Sequence, residues 1–207
     1  MTTLNLFESL KLAQKYGIKT AAFHLATTED EAVKSALKTG YPLALKVISS
    51  AITHKTEKGG VKIGLSNEEE LKNAFREMQA LVGFEGVLVQ PMVFGTEIII
   101  GGKVDDQFGP TILFGLGGIF VEVLKEYSLR ICPITRRDAR EMIHEIRGYA
   151  VLAGARGKQP VNFKEIENAL LNTSRLLMKE KQVRELDFNP LMVNEKEAVC
   201  VDARIIV

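Results

Sequence analysis

The sequence predicts an α+β protein of two lobes, and three observations predict it. Capped amphipathic helices alternate with short β-rich runs up to about Met92. From Val93 to Ile134 four β-rich runs then follow one another without a helix. The 207 residues are 46% hydrophobic and 26% charged, enough to fill a core and still cover it with solvated side chains. The change of rhythm sets the junction near Gln90–Phe94, dividing the chain into lobes of residues 1–90 and 91–207 with a ligand cleft between them.

The helices announce themselves by their starts. Asn5, Thr28 and Ser66 each stand three residues before a Glu, the capping-box spacing. The first helix is expected over Leu6–Tyr16, with Leu6, Leu10, Ala13 and Tyr16 on one face and Gly17 as its stop. The second is expected over Glu29–Lys38, ending at Gly40, and the third carries Leu71, Ala74, Phe75 and Met78 inward. Two later helices follow Thr135 (Arg136–Gly148) and Asn162 (Phe163–Lys181). Strands are expected at Ala21–Ala26, Pro42–Ile48, Val61–Leu65, Val87–Val93, Glu97–Gly101, Pro110–Phe114, Ile119–Leu124 and Leu129–Ile134. Arg184–Val193 and Ala198–Ile206 close the chain as a hairpin.

Lys+Arg 27 against Asp+Glu 26 leaves a formal charge of +1, which argues against a nucleic-acid or anionic-membrane binder. No apolar run is long enough to span a bilayer, and the start lacks the layout of a signal peptide. Cys132 and Cys200 sit in separate apolar runs, so reduced buried thiols in a cytoplasmic protein are expected rather than a disulfide or a zinc site.

Chemistry is concentrated in two places. Lys46 lies inside the apolar run Ala44–Ile48, where an ammonium is costly unless it meets an anion or snorkels to water. The chain then enters a polar loop ending in Gly59-Gly60, whose backbone N–H groups can approach a phosphate closely. His54 sits in that loop between Lys55 and Lys58. Nearby cations favour its neutral imidazole, the form that can attack phosphorus.

The second place is the C-terminal hairpin. Asp187 and Asn189, two apart on a strand, project from one face. A two-residue turn at Glu195-Lys196 sets Asn189 opposite Asp202 and Asp187 opposite Arg204. Directly opposed side chains have Cβ atoms about 5 Å apart, within reach of one shared Mg²⁺. A polar hairpin face simply meeting water is the plain alternative. Gly115-Leu-Gly-Gly118 is either a phosphate-contacting loop or a tight turn; no helix follows it, and no Walker A sequence occurs. Arg130, within Leu129–Ile134, is a second candidate cation, for a phosphate or for a carboxylate such as Glu122.

Together these segments resemble the ATP-grasp (beta) subunit of ADP-forming acyl-CoA synthetases, a group related to succinyl-CoA synthetase, over essentially the whole chain. The resemblance is carried by Ala44-Leu-Lys-Val-Ile-Ser49, His54-Lys-Thr-Glu-Lys-Gly-Gly-Val61, Val87-Leu-Val-Gln-Pro-Met92 and Phe108–Glu122. Gly154-Ala-Arg-Gly157 and Glu185-Leu-Asp-Phe-Asn-Pro-Leu191 complete it. Glu126 and Asn162 stand where the family usually has Asp. The resemblance implies a two-lobed ATP-grasp fold holding ATP or ADP with Mg²⁺. Lys46 would touch phosphates, the backbone around Gln90–Met92 would meet adenine, and Glu97 would lie near the ribose. Asn189 and Asp202, with Asp187 beside them, would be the metal set, and His54 the residue that carries phosphoryl, on a loop that must travel. A CoA-binding alpha subunit is implied as partner, in a heterotetramer. Two rivals are an ATP-grasp carboxylate–amine ligase and a non-catalytic nucleotide-sensing subunit.

Overall fold

A computed structural model describes residues 2–49, 59–118, 127–155 and 159–207. Expectations that fall elsewhere, His54 and the strand Ile119–Leu124 among them, lie outside the described residues. The chain divides into two compact units. One is Ala21–Val93; the other combines Met1–Thr20 with Phe94–Val207. This differs from a single cut after residue 90, because the first helix packs on the last strand of the chain rather than in the first lobe.

In the unit Ala21–Val93 the sheet contains β2 (His24–Ala26), β3 (Leu43–Ser49), β4 (Val61–Leu65) and β5 (Phe84–Pro91). Their order is β2-β5-β3-β4, antiparallel throughout. Helices α2 (Glu29–Thr39) and α3 (Glu68–Gln79) cover one face. There Leu43, Leu45 and Val47 of β3 and Val87 and Val89 of β5 pack with Ala32, Ala36, Leu71, Phe75 and Met78. These strand residues alternate, so the same pleat turns Ala44, Lys46, Ile48, Leu88 and Gln90 to the opposite face. The third cap falls one residue later than expected: Asn67 accepts from the Glu70 amide, while Glu70 reaches back to Ser66 N–H. Thr28 caps α2, but Glu31 turns to Thr27 and does not close a reciprocal box.

The other unit is built on β1 (Thr3–Leu4), β6 (Thr96–Asp105), β7 (Gly109–Leu116), β8 (Tyr127–Ile131), β9 (Glu185–Val193), β10 (Ala198–Cys200) and β11 (Ala203–Ile206). The order is β1-β11-β9-β6-β7-β8, with β10 also paired to β9, again antiparallel. Helices α1 (Leu6–Lys15), α4 (Arg136–Glu145), α5 (Tyr149–Leu152) and α6 (Phe163–Lys179) belong here. The capping boxes of Asn5 with Glu8 and of Thr135 with Asp138 are both closed. Asn162 caps α6, a task that Asp performs equally well, so this departure from the family's usual residue costs little. Buried Ile166, Ala169, Leu170, Thr173, Leu176 and Leu177 form the stripe of α6. Leu177 presses on Gly102 of β6, where a Cβ would stand 2.6 Å from its Cδ1. The helix expected over Arg136–Gly148 stops at Glu145, because Ile146 is extended, and α5 restarts after Gly148. Cys132 and Cys200 are buried and form no disulfide. Among the described residues no helix is long and apolar enough to cross a membrane.

Candidate functional site

In the unit Ala21–Val93, Lys46 is 5% exposed at the centre of β3. It stands opposite Leu88 of β5 and Val61 of β4, and Gln90 stands opposite Ala44 one step away. Lys46 and Gln90 therefore share the face that the helices do not cover. Gly59 adopts φ +71°, a conformation suited to glycine, and the next residue, Gly60, accepts a hydrogen bond from Val47 N–H at 2.8 Å. That bond extends the β3–β4 ladder one step past Lys46 and sets the Gly59-Gly60 backbone beside its strand. Met92 donates its N–H to the Pro42 carbonyl at 3.1 Å, so that amide is already engaged within the unit. Gln90 is 1% exposed, and among the described residues neither its Oε1 nor its Nε2 has a hydrogen-bond partner. A buried carboxamide left unpaired costs on the order of 1–3 kcal/mol.

In the other unit the expected hairpin register is realised. Arg204 faces Asp187, Ala203 faces Phe188 and Cys200 faces Leu191. The turn is held by Asn194, whose side-chain oxygen accepts from the Lys196 and Glu197 amides. The return strand, expected to be continuous over Ala198–Ile206, breaks into β10 and β11 at Val201–Asp202. Pro190 lacks an N–H, and here Asn189 N–H donates to the Asp202 carbonyl and Val201 N–H to the Pro190 carbonyl, each at 3.2 Å. The break holds Asn189 beside Asp202.

Burial is the main cause that pushes the Asp187 carboxyl above its ordinary range, and the charges of Asp202 and Glu185 add to it. A hydrogen bond to the Asn189 side chain and the charge of Arg204 pull it back. Two carboxylates and a carboxamide thus meet at one spot, with negative charge in excess. These are hard oxygen donors, and the set fits Mg²⁺, which takes few protein ligands and leaves the rest to water and phosphate. Among the described residues no group of three or more His, Cys, Asp or Glu is placed to hold a metal ion.

Glu97 of β6 lies opposite Met192, on the same sheet. Its neighbours are glycines for a steric reason. A Cβ on Gly117 would stand 2.8 Å from the Glu97 Cβ, and one on Gly118, at φ +62°, 2.8 Å from Glu97 Oε2. The Gly117 N–H donates to the Glu97 carbonyl at 2.7 Å. The glycine cluster that sequence left open between turn and ligand loop therefore packs on Glu97. Its only sequence signal was the doubled glycine after a strand. Beside Asp187 the sheet face carries a cavity of about 460 Å³, lined by Ile99, Gly101, Leu113 and Leu129 and edged by Lys103 and Glu185; sequence reasoning did not anticipate it.

Arg130 does not join this face. It alternates with Leu129 and Ile131 on β8 and points to α4, where it pairs with Glu145 and lies 4.0 Å from Glu141. Of the two roles left open to it, pairing with carboxylates is the one seen among the described residues, with Glu145 and Glu141 of α4; Glu122 lies outside the described residues.

The chain matches the ATP-grasp domain family over residues 1–207. It is 43% identical over 207 residues to the acetate–CoA ligase [ADP-forming] I subunit beta of Pyrococcus furiosus, covering 96% of this chain and 89% of that one. It is 44% identical to acetate–CoA ligase [ADP-forming] I of Archaeoglobus fulgidus, covering 96% of this chain and 30% of that longer one. Among solved structures it is similar to the dinucleotide forming acetyl-coenzyme A synthetase 1 of Ca. Korarchaeum cryptofilum, with 39% identity and a TM-score of 0.89. That match covers 100% of this chain and 93% of the other, which is in complex with coenzyme A and Mg-AMPPCP, its phosphohistidine segment pointing towards the nucleotide binding site.

Proposed function

Because the chain belongs to the ATP-grasp family and, within it, to the beta subunits of ADP-forming acetate–CoA ligases, we propose that it is the nucleotide-binding subunit of an ADP-forming acyl-CoA synthetase. The whole enzyme interconverts acid, ATP and CoA with acyl-CoA, ADP and phosphate. The observation that carries this assignment to the residues is the meeting of Asp187, Asn189 and Asp202 at the hairpin break.

In this proposal His54 takes the phosphoryl group. Its neutral imidazole nitrogen forms a bond to the terminal phosphorus of ATP as the bridging P–O bond breaks, and ADP leaves with the electron pair. The reverse step returns phosphoryl to ADP. Lys46 and the Gly59 and Gly60 amides hold phosphate oxygens, Glu97 orients the ribose, and the Gln90–Met92 stretch borders the base. Asp187, Asn189 and Asp202 would hold Mg²⁺, which when bound offsets negative charge on the phosphates. Positioning and electrostatics supply most of the acceleration in such transfers.

The P. furiosus relative is named as a beta subunit. A CoA-binding alpha subunit, joined with this chain in a cytoplasmic heterotetramer, is accordingly part of the proposal. The test is to incubate the chain with γ-labelled ATP and Mg²⁺, with and without its companion, and assay acid-labile phosphate. Label on the wild type and none on His54→Ala is expected; label retained by the variant defeats the role given to His54. With the companion present, a thioester is the expected product, and an amide would instead favour a carboxylate–amine ligase.

A further inference from the structure

Resting on the nucleotide assignment above, we propose that Asn194 is a positioning residue that couples the Mg²⁺ set to the residues gripping the nucleotide phosphates. The chain passes between its two units twice, at Thr20–Ala21 and at Val93–Phe94. Both passages are tied to the hairpin that carries Asn189 and Asp202. At the first, Cys200 N–H donates to the Lys19 carbonyl at 2.8 Å, Thr20 bridges to Cys200, and the Lys19 ammonium pairs with Glu197. At the second, Asn194 Nδ2 donates to the Phe94 carbonyl at 3.2 Å. Gly95 follows, and a Cβ there would stand 2.4 Å from the Val193 carbonyl oxygen, so this stretch lies directly on the hairpin backbone.

On the side of Ala21–Val93, Met92 N–H is held by the Pro42 carbonyl. One residue, Val93, therefore separates that bond from the one that Asn194 makes to Phe94. Lys46 and Gly59-Gly60 belong to the unit Ala21–Val93, and the three metal candidates belong to the other. In the proposed reaction both sets act on one nucleotide, so the link between them is part of the machinery. A cation that draws Asn189 and Asp202 together acts on a hydrogen-bonded strand pair whose far end holds both passages, and stiff elements of this kind carry coupling between sites. Asn194 has two separable roles. Its Oδ1 accepts from the Lys196 and Glu197 amides and builds the turn, while its Nδ2 holds the Phe94 carbonyl. Asn194→Asp keeps the first and turns the second into a carboxylate facing a carbonyl.

The experiment is calorimetric titration of the wild-type chain and Asn194→Asp with ADP, once in EDTA and once in excess MgCl₂. Without cation the two proteins should bind ADP within about twofold of each other, because Lys46 is far from the change in sequence and in a different unit. The gain in ADP affinity on adding Mg²⁺ should be smaller in the variant by at least about fivefold, the lower end of ordinary coupling between sites. Mg²⁺ carried by free ADP is the same for both proteins, and the added negative charge would by itself favour the cation, so neither produces this loss. A chain with one glycine inserted after Val93 leaves the hairpin untouched and should show the same signature; it decides the matter if Asn194→Asp does not fold. A folded version of either variant that keeps the full Mg²⁺ gain overturns the inference and leaves the nucleotide assignment standing. So does a variant that loses ADP affinity equally in EDTA and in MgCl₂, which is the mark of a merely structural role. Should the wild type bind no ADP in either condition, the nucleotide assignment itself falls, and this inference with it.

Discussion

Replacing Asp187 by Asn should strengthen the cation-free protein while abolishing its response to Mg²⁺. The magnitude follows from the hairpin. Asp187 stands opposite Arg204, so Asp202 is its diagonal neighbour, about 7–8 Å away. Two like charges at that distance repel by about 0.6 kcal/mol in water and about 2 kcal/mol at an effective dielectric of 20. Burial of the Asp187 carboxyl acts in the same direction, while the exposed Arg204 offsets up to about 1 kcal/mol. Removing the charge should therefore stabilise the protein by about 1 kcal/mol, or roughly 2–4 °C for a chain of this length. The sign with pH is fixed as well. Asp187 is harder to ionise folded than unfolded, so its charge opposes folding at neutral pH, and the advantage of Asn should shrink as pH falls towards 4. For the wild type, Mg²⁺ at a hundred times its dissociation constant should add about 2.7 kcal/mol. Thermal unfolding of both proteins, with and without MgCl₂ and ADP, measures all of this. A variant that melts lower without cation, or that keeps the full Mg²⁺ shift, would refute the reasoning.

Three other outcomes follow. Lys46→Met should leave folding intact but weaken ADP binding by about 2 kcal/mol or more, near thirtyfold, because a buried phosphate charge loses its partner; titration calorimetry reads it. Glu180 accepts hydrogen bonds from Lys15, Tyr16 and Gln182, which hold its carboxyl down to about 2. Its contribution is therefore present above about pH 4.5 and lost as pH falls through 2. The stability difference between wild type and Glu180→Gln should shrink across that window in melts at stepped pH. Arg130→Gln should cost no more than about 1 kcal/mol and leave phosphoryl exchange unchanged, since its partners are Glu145 and Glu141 of α4.

Much of this was legible because local rules sufficed. Asn5 and Thr135 fix helix starts through side chains three residues from their partners, and the hairpin register follows once the turn length is known. The same locality explains the failures. Nothing near Thr3 or Leu4 says that they pair with Ile205 and Ile206, so the placement of the first helix with the late residues was hidden. Arg130 looked like a buried cation within its own apolar run; its partners come from a helix whose position only the packed sheet reveals. Ser66 and Asn67 are both good caps, and their neighbours alone do not rank them. The glycines at 117 and 118 are explained by Glu97, twenty residues back on the neighbouring strand. The candidate site was readable in its parts, through Lys46, Asn189 and Asp202, whereas the burial of both polar atoms of Gln90 shows only in the fold.

The relay through His54 is tested most directly by isotope exchange. The chain with Mg²⁺, ATP and labelled ADP, without acid or CoA, should pass label into ATP, because a phosphorylated His54 returns its phosphoryl group to whichever ADP is bound. His54→Ala and Asp202→Asn should both abolish this. Exchange that survives in His54→Ala would contradict the account.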